Sequence, residues 1–174
     1  MVTARPPGAV SIEEMLTAAR ARLVRLTPRQ AFREASVGGV LIDIRPAAQR
    51  AEQGEIPGST IVERNHLEWR LDPGSDARLP WAAGYDRRII VFCVDGYTSS
   101  LAAAALQDLG LYRATDVVGG YRAWVAEGLP WRQPHEAGPR RREHLVDAEG
   151  AERPGHHAAA PSVASLTSPS GVRS

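Results

Sequence analysis

Residues 88–100 read Arg88-Ile89-Ile90-Val91-Phe92-Cys93-Val94-Asp95-Gly96-Tyr97-Thr98-Ser99-Ser100. The first part is a short apolar run, the second is small, polar and turn-forming, and a helix-like stretch from Leu101 to Leu109 follows. A continuous apolar run of this length fits a parallel strand buried on both faces. The strand therefore ends at Cys93, passes through a tight loop and enters a helix expected over 99–109, with Leu101, Ala105, Leu106 and Leu109 inward and Gly110 ending it. Cys93 is the single cysteine of the chain.

The same alternation extends in both directions. Upstream, Ser11 with Glu14 three residues on forms a capping-box pattern ahead of Met15, Leu16, Ala19, Leu23 and Leu26 at helical spacing. Thr27-Pro28 opens a second helix, with threonine as cap and proline at the first helical position, running to about Ala35. Gly38-Gly39 breaks it, and residues 40–44 form a strand. A short helix is expected over 46–53, a turn over 55–58 and a strand over 59–62. Residues 64–86 carry no clear period; Trp69 and Trp81 lie there as candidates for lining a pocket. Downstream, residues 115–118 form a strand, and Gly119-Gly120 leads into a last helix over 121–127, closed by Gly128 and Pro130. Short strands alternating with helices define an open α/β domain with a mainly parallel sheet of about five strands, flanked by helices in three layers.

Residues 1–10 read as a flexible lead, 11–132 as the folded domain, and 133–174 as a disordered tail with five prolines, the run Arg140-Arg141-Arg142 and few large apolar side chains. The formal charge is +1, from 21 basic and 20 acidic residues, which argues against nucleic acid as partner. No apolar stretch reaches the ~20 residues of a membrane span. One cysteine excludes an internal disulfide and a cysteine-based zinc site, and no metal or cofactor is expected. A lone reactive thiol suits a reducing compartment, so the expected setting is the cytoplasm.

A free thiol titrates near ~8.5 and is only a few per cent thiolate at neutral pH. A loop that turns successive N–H groups toward the sulfur, ahead of a helix N-terminus, stabilises the anion and binds an oxyanion in the same cradle. Gly96 allows the turn, and the hydroxyls of Thr98, Ser99 and Ser100 are available to donate to bound oxygens or to cap the helix.

Four segments in this order resemble the rhodanese-like sulfurtransferase family, over roughly residues 11–131. Asp43-Ile44-Arg45 is similar to the Asp-x-Arg that ends the family's early strand. Gly54-Glu55-Ile56-Pro57-Gly58-Ser59 resembles its Gly-His-Ile-Pro-Gly-Ala turn. Residues 93–99 resemble its cysteine loop. Val118-Gly119-Gly120-Tyr121-Arg122-Ala123-Trp124, with Gly128-Leu129-Pro130, is similar to its closing segment. The resemblance implies a rhodanese-like fold and a two-step relay through a Cys93 persulfide. The donor is thiosulfate or a similar sulfane-sulfur compound, and the acceptor is cyanide or a thiol, protein thiols included. It implies Cys93 as nucleophile, Val94, Asp95, Gly96, Tyr97, Thr98 and Ser99 as the substrate-binding loop, and Asp43 and Arg45 as structural support.

The sequence departs from that pattern at Gln49, where an acidic residue is common, and at Glu55, where histidine is usual; Glu52 or Glu55 is the expected substitute partner for Arg45. The cysteine loop carries no Arg or Lys, and Asp95 adds a negative charge, so an anionic donor meets no cation in the loop. Tyr97 is expected at the pocket rim. The alternatives are a non-catalytic regulatory or sulfur-carrier module and a cysteine phosphatase. The phosphatase lacks its arginine clamp, since no Arg lies between Cys93 and Arg113.

Overall fold

The structure is a computed structural model and describes residues 4–134. The expected tail falls, from residue 135 on, outside the described residues. In the lead, Arg5 pairs with Glu14 at 2.6 Å.

Helix α1 (Ile12–Arg22) starts on the capping box read from the sequence: Ser11 Oγ accepts from the Glu14 N–H, and the Glu14 carboxylate accepts from the Ser11 N–H. Helix α2 (Pro28–Ser36) repeats the device with Thr27 and Gln30. Strand β1 (Val40–Asp43), helix α3 (Ala47–Gln53) and strand β2 (Thr60–Ile61) follow. The stretch without a clear period holds a 3₁₀ turn, Arg64–His66, and a short helix α4 (Leu67–Leu71). Strand β3 (Ile89–Phe92), helix α5 (Thr98–Asp108), strand β4 (Thr115–Asp116) and helix α6 (Gly120–Ala126) complete the domain.

The sheet order is β2-β1-β3-β4 and every pairing is parallel. Among the described residues four strands form, against the five or so expected. Beside β4, where a fifth strand would lie, Leu26 makes a single parallel bridge to Val117: its N–H donates to Asp116 O at 3.0 Å, and its carbonyl accepts from Val118 N–H at 2.8 Å. Pro28 two residues later starts α2, so the chain cannot continue along the edge.

Alternation along the strands divides the core into two faces. Ile42, Ile89 and Val91 face Ala102, Ala103 and Leu106 of α5, with Leu23, Leu67 and Leu71. Leu41, Ile90 and Phe92 face Ala31, Tyr121 and Trp124 on the α2 and α6 side. Trp124 is buried, meets Phe32 edge-on at 5.9 Å and donates its indole N–H to Pro130 O at 2.9 Å. Tyr121 is likewise buried, and that burial raises its phenol above its ordinary value, an effect that the nearby Arg45 guanidinium opposes. No helix among the described residues is long and apolar enough to cross a membrane.

In this order the central strands β1 and β3 carry the chain toward opposite edges: β1 leads out to β2, β3 to β4. Open parallel sheets place ligands outside the carboxyl ends of the strands at such a reversal. The segments that leave β1 and β3 there begin with Ile44-Arg45-Pro46 and with Cys93-Val94.

Candidate active site

A cleft of about 490 Å³ opens at that reversal, lined by Ile44, Arg45 and Pro46 after β1, Glu63, Arg64 and Asn65 after β2, and Cys93, Val94 and Thr98 after β3, with Gln49 from α3. Cys93 is half-buried and lines this cleft.

The loop from Cys93 to Thr98 is shaped by where its carbonyls go. Cys93 O accepts from the Tyr121 N–H at 2.8 Å, and Val94 O from the Arg122 N–H at 3.1 Å. Tyr97 O accepts from the Ser100 N–H at 3.0 Å. Gly96 O accepts from the guanidiniums of Arg20 at 3.0 Å and Arg25 at 3.1 Å. With those carbonyls engaged by α6, α5 and two arginines, the loop's N–H groups remain for the sulfur and a ligand. The Gly96 N–H donates to Cys93 Sγ at 3.2 Å. The N–H groups of Val94, Asp95, Tyr97, Thr98 and Ser99 have no acceptor among the described residues. Those of Thr98 and Ser99 open α5, whose positive end lies at the loop.

Two glycines let the loop and α6 approach. Gly96 has φ 76°, and a Cβ on it would stand 2.8 Å from Gly119 N and 2.9 Å from Val117 O. Gly120 has φ 58°, and a Cβ there would meet Cys93 O at 2.5 Å, Val94 O at 2.7 Å and Gly96 N at 2.8 Å. The Gly119-Gly120 pair is thus a strand-to-helix turn fitted against the cysteine loop.

Behind the loop lies a polar network whose partners were not expected from the sequence. Asp116 is fully buried at the end of β4. Arg25 binds both its oxygens, at 2.8 and 3.0 Å, and Ser100 and Ser99 donate to it at 2.8 and 3.2 Å. Ser99 Oγ also lies 3.5 Å from Cys93 Sγ.

The loop residues expected to bind substrate therefore divide. Val94 and Thr98 line the cleft with Cys93, and Gly96 gives its N–H to the sulfur. Ser99 is buried and faces Sγ and Asp116 instead of the cleft, and Ser100 is turned inward as well; neither caps α5. Asp95 points away and pairs with Arg122 of α6 at 2.9 Å. Tyr97 is exposed, with the Arg20 guanidinium over its ring at 5.2 Å. Neither Trp69, which is exposed, nor Trp81, which packs on the core under Arg87, is among the cleft residues.

Asp43 and Arg45 form a fully buried pair two residues apart. Nε and Nη2 of Arg45 donate to Asp43 at 2.9 and 2.6 Å, and Nη2 also to Gly54 O at 2.9 Å. The guanidinium stacks on Tyr121, 3.8 Å from the ring centroid. The expected partners were Glu52 or Glu55; the bidentate acceptor is Asp43, because the strand end turns Arg45 back on it. The cation missing from the loop is present across the cleft. Arg64, in the 3₁₀ turn after β2, lines the same space and pairs with Glu68 one helical turn on, at 2.7 Å. The loop itself offers an anion no cation, as expected; a guanidinium reaches the cleft from Arg64 outside the loop, shared with Glu68 and beside the Glu63 carboxylate.

Comparison with known proteins agrees with this architecture. The family model for the rhodanese-like domain matches residues 27–127. The thiosulfate sulfurtransferase GlpE of Stutzerimonas stutzeri strain A1501 is 34% identical over 100 residues, covering 58% of this chain and 83% of that protein. A sulfurtransferase of Allochromatium vinosum is 34% identical over 91 residues, covering 52% and 76%. A solved structure from Rhodopseudomonas palustris CGA009, described as a protein of unknown function and "possible tyrosine phosphatase", is 30% identical, with TM-score 0.67, over 75% of this chain and 100% of that one. The chain belongs to the rhodanese-like domain family.

Proposed function

We propose that residues 11–132 form a sulfurtransferase that carries a sulfane sulfur on Cys93. The observation that carries this reading is the loop whose carbonyls are engaged elsewhere while the Gly96 N–H meets Cys93 Sγ beside an open cleft. Such an arrangement favours a negatively charged sulfur, both as the attacking thiolate and as the loaded persulfide.

In the first step the Cys93 thiolate attacks the outer sulfur of thiosulfate. A Cys93 S–S bond forms, the donor's S–S bond breaks, and sulfite departs with its electron pair. In the second step cyanide or a thiolate attacks the outer sulfur of the persulfide, and the Cys93 thiolate leaves with the electron pair of that bond. The products are thiocyanate or a new persulfide, the cysteine returns to its starting state, and no external oxidant or reductant is consumed. This is covalent catalysis with ping-pong kinetics. Arg64 lines the cleft, but its charge is matched by Glu68, so the reading of thiosulfate or a related anion as donor is supported by the relatives rather than by a free cation there. The names of the relatives, thiosulfate sulfurtransferase among them, support the same class. The cytoplasm is the proposed setting, since a lone reactive thiol persists in a reducing compartment.

The test is intact-protein mass spectrometry after incubation with thiosulfate, polysulfide and other sulfane donors. The expected result is a gain of one sulfur atom, mapped to Cys93, released by cyanide and absent in Cys93→Ser. No gain with any donor would remove the catalytic reading and leave a passive or regulatory module.

A second reading has one observation in its favour, the phosphatase description of the Rhodopseudomonas palustris structure. A phosphoryl group needs a bidentate cationic grip from the loop that holds it. Between Cys93 and Thr98 no such side chain exists, and Arg64 is already paired with Glu68. Cys93-dependent hydrolysis of an aryl phosphate would reverse this preference.

A further inference from the structure

The cysteine loop has no cation of its own, yet a cation stands directly behind it. Arg20, in the last turn of α1, donates Nη2 to Gly96 O at 3.0 Å and Nε to Ser100 Oγ at 3.2 Å, and lies over the Tyr97 ring at 5.2 Å. It thus touches the second half of the loop and the first turn of α5 at three points. Arg25 reaches the same carbonyl at 3.1 Å, but its charge is matched by the buried Asp116. Arg20 has no carboxylate partner among the described residues. Both arginines precede residue 27 and so lie outside the range matched by the family model.

We propose that Arg20 is a positioning residue for Cys93. By holding the Gly96 carbonyl it fixes the residue whose N–H meets the sulfur, and its unmatched charge favours the anionic sulfur. The proposal rests on the sulfur-relay reading for its biological use, but its physical content concerns only the state of Cys93. Gly96 is the bridge: its N–H is on the sulfur at 3.2 Å, and its C=O accepts from the two guanidiniums and lies 3.2 Å from the Ser100 hydroxyl. Donors on the carbonyl pin the peptide that follows Gly96, and they stop that carbonyl from turning toward the sulfur, where its negative end would oppose the thiolate. One residue separates cation from sulfur, within the ~10 Å over which charges act at 0.1 M salt.

The other charged groups around the sulfur do not supply this effect. Arg45 is spent on Asp43, and across the cleft Arg64 is paired with Glu68 and Glu63 with Arg50. Asp95 is paired with Arg122 on α6, and Asp116 with Arg25. Arg20 is the remaining cation that touches the loop.

The experiment is the rate of Cys93 alkylation by iodoacetamide as a function of pH, in the full chain, where the single cysteine makes the signal unambiguous. In Arg20→Met the rate near neutral pH is expected to fall about five- to tenfold, while the plateau at high pH matches wild type, because a lost charge alters the thiolate fraction and not the reactivity of the thiolate. Arg20→Lys is expected to recover most of the rate. Arg22→Gln removes a charge from the same helix that pairs with Asp108 instead, and is expected to leave the profile unchanged. A wild-type profile in Arg20→Met, an equal loss in Arg20→Lys, or a plateau lowered as much as the neutral rate would each overturn the proposal. Alkylation requires no sulfur donor. A shifted profile combined with no persulfide from any donor would therefore refute the sulfur relay and leave the role of Arg20 standing.

Discussion

Replacing Gly120 by alanine tests whether the cysteine loop is held by its fit against α6. The added Cβ would sit 2.5 Å from Cys93 O, 2.7 Å from Val94 O and 2.8 Å from Gly96 N, all backbone atoms that cannot rotate aside. The residue also has φ 58°, which costs a residue with a Cβ roughly 1–2 kcal/mol. Overpacking typically adds about 1–3 kcal/mol, so the expected loss is roughly 2–5 kcal/mol. That is a large share of the ~5–15 kcal/mol of a typical domain. The relief of the clash must push the loop from α6, loosening the bonds from Tyr121 N–H to Cys93 O and from Arg122 N–H to Val94 O. Once free, those carbonyls can turn toward the sulfur, so persulfide formation should fall more than stability does. Gly128→Ala is the matched control. It has φ 68° but nothing within 4 Å of where its Cβ would stand, so it should cost only the backbone strain of about 1–2 kcal/mol and spare Cys93 chemistry. Urea melts give the stabilities, and thiosulfate-dependent mass gain gives the chemistry. Equal losses in the two variants, or normal persulfide formation in Gly120→Ala, would refute the interlock.

Arg45→Met leaves the Asp43 carboxylate buried without its counter-charge and should cost about 3–5 kcal/mol; Asp43→Asn together with Arg45→Met should recover part of it, read from urea melts. Tyr121 gives a pH dependence at the alkaline end. Burial raises its phenol above the ordinary value of 10.0, against the opposing pull of the Arg45 guanidinium. Its folded value therefore exceeds the unfolded one. The stability it contributes is complete below the unfolded value and disappears as pH rises through the folded one. Tyr121→Phe loses the bond to Gln53 O at 2.7 Å, about 1 kcal/mol, and should flatten the alkaline decline relative to wild type in denaturation melts across about pH 9–11.

The parts of the molecule governed by neighbours in the chain were readable from its residues. Ser11 and Thr27 cap the helices they announce, because a capping box closes within four positions. The apolar run before Cys93 is the strand it promises, and its glycine-rich partner, residues 118–120, is the turn beside it. What escaped reading depends on positions far apart in sequence. Arg20 and Arg25 meet Gly96 across more than seventy residues, and Arg64 reaches the cleft from a segment with no clear period. Asp116 did leave a trace: a carboxylate inside an apolar strand must find a partner when buried. With every basic residue an arginine, and 21 of them, the sequence offered no way to say which one. Asp43 and Arg45, two residues apart, were read as structural support; that they pair with each other is set by how the chain leaves β1.

The distribution of positive charge also bears on which group the loop can transfer. In sulfur transfer the group that stays on the cysteine is one sulfur atom, and the oxyanion departs as sulfite. The loop then has to stabilise one charge on a soft atom, which amide N–H groups and a cation held behind a peptide can do. In phosphoryl transfer the group that stays carries close to two negative charges on three oxygens, about −1.5 to −2 near neutral pH. That load calls for a guanidinium inside the loop, in contact with the oxygens. Here the guanidinium of Arg20, which has no carboxylate partner among the described residues, bonds to a main-chain carbonyl and a serine hydroxyl and lies over the Tyr97 ring. To grip a phosphoryl group it would have to release Gly96 and pass through the loop it supports. The arrangement thus suits the proposed sulfur relay, which asks the loop to hold one sulfur, and withholds the grip that a phosphate requires.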